Sequence, residues 1–133
     1  MNNSDSPEFS TPGNTLAEQS MDFAIEIVHL VRALRQNRET LISSQLGRSG
    51  TSIGANIREA QYAQSRADFI AKLHIALKEA NETLYWLELL YRTSYLREKQ
   101  YLTLSKACLS LIRMLTASLN TAKSNTPSAQ RTP

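Results

Sequence analysis

The 133-residue chain is poor in cysteine, proline and glycine, and each scarcity excludes a class of protein. One cysteine allows neither an intramolecular disulfide nor a cysteine-based metal cluster. Four prolines and four glycines leave long uninterrupted segments, which favours helices over a turn-rich sheet. No apolar run of about eighteen residues occurs and no basic-then-apolar leader opens the sequence. We therefore expect a cytoplasmic protein that has no membrane as partner.

The ends of the chain differ in composition from its middle. Residues 1–13 and 124–133 are rich in Ser, Thr, Asn and Pro and contain few large apolar groups, so we predict a disordered tail at each end. The middle, residues 14–123, has the length of a single folded domain. It also lacks proline, because all four prolines lie in the predicted tails: Pro7, Pro12, Pro127 and Pro133.

Apolar residues recur at helical spacing in four segments, which predict helices over residues 15–36, 39–62, 66–92 and 98–122. Thr15 and Glu18 have the spacing of a capping box at the start of the first helix. Similar helix lengths and short connections favour an all-α, antiparallel up-down-up-down four-helix bundle. The predicted core consists of Met21, Val28, Leu46, Ile53, Ile57, Phe69, Leu73, Leu77, Leu84, Leu87, Leu104, Leu111 and Leu115.

Three glycines lie inside the second predicted helix, where each is about 1 kcal/mol less favourable than alanine. Together with Ser43, the residues Gly47, Gly50 and Gly54 form one smooth stripe along the helix. We interpret this stripe as a surface that lets a neighbouring helix approach closely. A phosphate-binding loop is excluded because the Gly-Lys-Ser/Thr ending is absent, and a membrane dimer is excluded because charged residues flank the stripe.

The segment from Arg48 to Leu90 resembles a known family. Its most specific stretches are residues 48–60, RSGTSIGANIREA, and residues 72–90, KLHIALKEANETLYWLELL. The sequence is similar, over about residues 14–122, to the bacterial four-helix bundle proteins encoded in intervening sequences of large-subunit ribosomal RNA genes. That resemblance implies an antiparallel bundle that assembles into a homopentamer and has no known catalytic activity. Distant kin, the accessory factors of diversity-generating retroelements, bind nucleic acid and a reverse transcriptase, which makes RNA or DNA a candidate partner.

We predict no catalytic residue, no cofactor and no metal. A di-iron bundle needs two Glu-x-x-His pairs, and Glu26 with His29 supplies one, whereas Ala71 precedes His74 at the same spacing. The single thiol, Cys108, lies on an apolar stripe and is interpreted as a core residue. The protein is therefore predicted not to be an enzyme, which leaves an oligomeric interaction protein and a nucleic-acid-binding accessory protein as the two hypotheses.

A basic ridge is the candidate nucleic-acid-binding surface. Lys99, Lys106 and Arg113 recur every seven residues on the fourth helix, so they share one face at spacings of about 10.5 Å. The net charge of +3 permits binding to phosphate but does not require it. A solvated helix face is the plainer interpretation of the same pattern.

The third predicted helix is apolar on two faces. One face belongs to the core, and on the opposite face lie Ile75, Tyr85, Trp86 and Leu89, with Lys78 and Glu82 at its border. A monomer would leave this second face in water, whereas Trp and Tyr are enriched at interface centres. The sequence therefore predicts an oligomer interface there, and the alternative is that Trp86 stacks on a nucleic-acid base.

Overall fold

The computed structural model describes residues 15–125, which form four α-helices. These are α1 (Leu16–Gln36), α2 (Leu41–Gln61), α3 (Arg66–Arg92) and α4 (Glu98–Ser124). All four predicted helices are confirmed, although α2 begins two residues later and α4 ends two residues later than predicted. Ser124 and its cap Asn125 therefore belong to the bundle, and the rest of the two predicted tails lies outside the described residues.

Side chains that precede the helices fix where α1, α2 and α3 begin. The predicted capping box is confirmed, because the Thr15 hydroxyl accepts from the Glu18 amide at 3.2 Å and the Glu18 carboxylate accepts from the Thr15 amide at 2.9 Å. Ser65 similarly caps α3. At α2 the buried carboxylate of Glu39 accepts from two backbone amides, which satisfies donors that a helix start leaves unpaired.

In the contacts between consecutive helices, residue numbers rise along one helix while the numbers of their partners fall along the other. Gly50 of α2 lies against Ile27 of α1, and Gly54 lies against Ser20. The same reversal joins the other neighbouring helices, and consecutive helices are therefore antiparallel, as predicted. The pairs are Arg48–Glu79 and Glu59–Lys72 between α2 and α3, and Tyr91–Tyr101 and Arg66–Ala122 between α3 and α4.

The core fills the space between the helices, and most of its predicted members are confirmed. The fully buried large side chains include Leu46, Ile53, Leu87, Leu111 and Leu115, while the predicted members Phe69, Leu77, Leu84 and Leu104 are half-buried at its edge.

The prediction for α1 is wrong, because Met21 and Val28 are 47% and 39% exposed. The core face of this helix carries Phe23, Ile27, Leu30 and Leu34 instead. Both stripes of α1 have helical spacing and similar hydrophobicity, so periodicity alone could not choose between them. The glycines of α2 determine which stripe of α1 is buried, because they leave room for Ile27.

The glycine stripe of α2 packs against α1, which confirms the prediction of close helix approach. A Cβ atom at Gly50 would lie 2.9 Å from Cγ2 of Ile27, closer than real contacts allow. At Gly54 it would lie 3.2 Å from the Ser20 hydroxyl, whereas at Gly47 it would meet Val31 at an ordinary 3.4 Å. Gly50 is therefore required by packing and Gly47 is not.

Two buried hydrogen bonds connect neighbouring helices inside the core. The hydroxyls of Ser49 and Thr83, both fully buried, share a 2.9 Å hydrogen bond between α2 and α3. The Cys108 thiol donates to the Ala80 carbonyl at 3.3 Å, and burial raises the pKa of this thiol to about 12. Cys108 is a core residue, as predicted.

The glycine contacts predict opposite effects for two alanine substitutions. Gly47→Ala should stabilise the protein by up to about 1 kcal/mol, because alanine is the better helix former and its Cβ would meet Val31 at an ordinary contact distance. Gly50→Ala should destabilise it by about 1–2 kcal/mol, because a buried β-branched side chain would have to move. Urea unfolding of the two variants measures both, and equal effects would contradict the packing argument.

Burial of Cys108 predicts a thiol that reacts only when the bundle opens. At pH 8 in native buffer, labelling by a disulfide reagent should be limited by unfolding, since the thiolate is the reactive form. In concentrated urea the same thiol should react as fast as free cysteine. Comparable rates in the two conditions would show that the thiol is accessible in the folded protein.

Candidate interaction surfaces

The predicted interface residues lie together on the outside of α3, and we call Ile75, Tyr85, Trp86 and Leu89 the α3 patch. Tyr85 is 58% exposed and Ile75 is 41% exposed, while Trp86 and Leu89 are half-buried. The Tyr85 and Trp86 rings meet edge to face with centroids 4.9 Å apart. The patch is therefore an apolar surface that contains a contacting aromatic pair.

A polar network holds Trp86 in place. Its indole nitrogen donates to the Glu82 carboxylate at 2.9 Å. The same carboxylate pairs with Arg48 of α2, which also bonds Glu79 at 3.2 Å. The sequence pattern predicts Glu82 at the border of the patch but does not reveal Arg48, because helical periodicity carries no information about contacts between helices. Trp, Tyr and Arg are the residue types that most often dominate interface energetics.

The basic ridge of Lys99, Lys106 and Arg113 lies on the exposed face of α4, as its spacing predicts. All three side chains are exposed, and none forms an ion pair within residues 15–125. The ridge and the α3 patch lie on different helices, so the structure keeps the two predicted surfaces separate. The three cations are free to meet an anionic partner.

An open cleft of about 920 Å³ separates α1 from α4, and nothing in the sequence pattern predicts it. These two helices pack far less closely with each other than consecutive helices do. Phe23, Leu30, Leu104 and Leu111 supply apolar groups to its lining. Polar side chains also line it, with Asp22, Glu26 and His29 on α1 and Arg97, Lys99 and Gln100 on α4.

The residues considered for metal binding do not assemble into a site. Glu26 and His29 both line the cleft, while His74 is exposed on α3. Across residues 15–125, no group of three or more potential ligands from His, Cys, Asp and Glu lies close enough to hold a metal ion.

The fourth helix is apolar beyond what the core uses. Within the described residues, α4 is the one helix that is long enough and apolar enough to cross a membrane. Core helices of soluble proteins can have the same length and composition. Only 22% of the most apolar stretch of α4 is buried in the bundle, and Leu102 and Leu109 are 54% and 42% exposed. On α1, the stripe of Met21, Ile25 and Val28 is exposed as well. A single copy therefore leaves apolar surface uncovered on α1, α3 and α4.

The fold and sequence match known proteins. A crystal structure from Bacteroides thetaiotaomicron, described as a protein of unknown function from the S23 ribosomal protein family, is 50% identical with a TM-score of 0.77. The match covers 79% of this chain and 98% of that one. No curated protein matches this chain.

The model of the 23S rRNA-intervening sequence protein family matches residues 14–117, which include α1, α2, α3 and most of α4. The matched range contains the glycine stripe, the Arg48 network and the whole α3 patch. Since the match extends over more than half of the sequence and agrees with the four-helix architecture, the chain belongs to the 23S rRNA-intervening sequence protein family.

Proposed function

We propose that the protein is a non-enzymatic, cytoplasmic scaffold or interaction protein that works as a homo-oligomer, with the α3 patch in the interface between copies. The observation that carries this proposal is the edge-to-face Tyr85–Trp86 pair on the outside of the bundle, in which the Trp86 indole bonds the carboxylate of Glu82 that also pairs with Arg48. Aromatic residues that already make such contacts lose little conformational entropy on binding, so they contribute more to affinity than mobile side chains of equal size. The resemblance to the family supports a pentamer.

A second candidate function is nucleic-acid binding by the basic ridge. The observation in its favour is that Lys99, Lys106 and Arg113 are exposed and free of ion pairs within the described residues. In an assembly, the ridge residues that stay outside the interface between copies would add together and bind one RNA with higher avidity. The family name supplies the probe for an experiment, which is 23S ribosomal RNA.

The interface predicts that Trp86→Glu dissociates the oligomer while the helices remain. Placing a carboxylate at the centre of the patch should weaken association by about 2 kcal/mol or more, as expected for an interface hot spot. Sedimentation velocity at micromolar concentration measures the assembly, and circular dichroism measures the helices. The matched control is Tyr62→Glu, which changes an aromatic residue that is 80% exposed and lies outside the patch.

The control should assemble like the unmodified protein. If Trp86→Glu also assembles normally, the interface lies elsewhere. If the unmodified protein sediments as a monomer, the oligomer proposal is wrong.

The ridge predicts that a triple charge reversal, K99E/K106E/R113E, weakens RNA binding equally for all sequences. Phosphate contacts release counterions, so the slope of log affinity against log salt should become shallower by about two units. Filter binding at several salt concentrations measures this slope. The matched control reverses Arg32, Arg58 and Arg92, which are exposed outside the ridge and give the same change in net charge.

The control should keep more affinity and a steeper salt dependence than the ridge variant. Equal losses would show that net charge alone matters and that the ridge is no distinct site. Absence of RNA binding by the unmodified protein would remove this candidate function.

A further inference from the structure

We propose that the α1–α4 cleft of one copy receives the α3 patch of another copy, so that the copies associate head to tail. This inference rests on the proposed self-association and adds the surface that the α3 patch contacts. It predicts an assembly built from two different surfaces rather than from one surface paired with itself.

Along the cleft, α1 and α4 each have one side that no other helix of the bundle covers closely. Each of α2 and α3 packs closely on both sides, whereas α1 and α4 leave a gap of about 920 Å³ between them. Ala33 and Ala107, which line this gap, are exposed, and Leu104 is half-buried. A helix from a second copy would cover these apolar groups in the way that helices cover grooves in known complexes.

The α3 patch has the length and shape that the cleft requires. On α1 the lining extends from Gln19 to Ala33, and the patch extends from Ile75 to Leu89. Both intervals correspond to about 21 Å along a helix at 1.5 Å rise per residue. The patch lies on the outward side of a helix, where Tyr85 and Ile75 are exposed while Trp86 also packs against the core, and the cleft is concave, so the two surfaces match in length and general shape.

The α1 side of the cleft is complementary in charge to the Lys78 border of the patch, while the α4 side carries Arg97 and Lys99. Asp22 and Glu26 on the α1 side of the cleft form no ion pair within residues 15–125, and neither does Lys78 at the border of the patch. Docking would bring this lysine near unpaired carboxylates, which favours the correct partner and orientation. Glu82 already bonds Arg48 and Trp86, so it would not enter the interface as an isolated charge.

Pairing of two α3 patches with each other explains less of the structure. In a twofold arrangement, the patch of one copy would cover only the patch of the other. It would also leave the cleft uncovered on both copies. A contact between two different surfaces covers both and leaves each copy able to bind a further copy, which builds rings or filaments.

Two variants and their mixture test the proposal. Ala107→Glu places a carboxylate in the cleft at an exposed helical position, and Trp86→Glu places one in the patch. Each variant alone should associate at least about thirtyfold more weakly than the unmodified protein. An equimolar mixture should form a one-to-one dimer, because the first variant keeps its patch and the second keeps its cleft.

Sedimentation velocity with one variant fluorescently labelled detects this dimer directly. The control is Asn120→Glu, which adds the same charge to an exposed position of α4 that does not line the cleft. Normal assembly by this control, together with unchanged helical content in all variants, would show that the losses come from the two surfaces.

The alternative outcomes are distinguishable. If Ala107→Glu assembles like the unmodified protein, the docking surface is wrong while self-association stands, and the cleft is left for another occupant. If both variants are monomeric and their mixture forms no dimer, the pairing of cleft with patch is overturned. If the unmodified protein is itself monomeric, the proposed oligomer fails and this inference fails with it.

Discussion

The contact between Gly50 and Ile27 determines how the first half of the bundle is arranged. Cγ2 of Ile27 occupies the position where any larger residue at 50 would place its side chain, so α1 and α2 approach closely. That approach fixes the rotation of α1, turning Phe23 inward and leaving Met21 and Val28 in solvent. With α1 held against α2, its opposite edge borders the open cleft rather than packing closely on α4.

The sequence predicts the helices well where local chemistry determines them. The Thr15 capping box and the Ser65 cap mark helix starts, because both are interactions between residues three positions apart. The start of α2 is less clear from the sequence, since Glu39 caps that helix with a buried carboxylate instead of the adjacent Thr40. Capping by the residue before the usual position has no strong sequence signal.

Hydrophobic periodicity in the sequence does not predict features that depend on contacts between helices. The α3 patch was predictable because its residues share one helix, and a helical projection shows a second apolar face. The ion pairs of Arg48 were not predictable, because its partners Glu79 and Glu82 lie on another helix. The cleft was not predictable either, because it arises where two helices that are distant in sequence fail to pack. For the same reason, the two apolar stripes of α1 were indistinguishable before the glycine contact was known.

The buried hydroxyls of Ser49 and Thr83 limit how α2 and α3 slide along each other. About one helical turn away on either side, the buried positions are Leu46 and Ile53 on α2 and Ala80 and Leu87 on α3, all of them apolar. A shift by one turn would place each hydroxyl against an apolar side chain, and the 2.9 Å hydrogen bond between the helices would be lost. Leucines in a bundle tolerate several alignments almost equally, whereas a single polar pair distinguishes one register from its neighbours. The alignment of Arg48 with Glu82, and with it the orientation of the Trp86 ring, follows from that register.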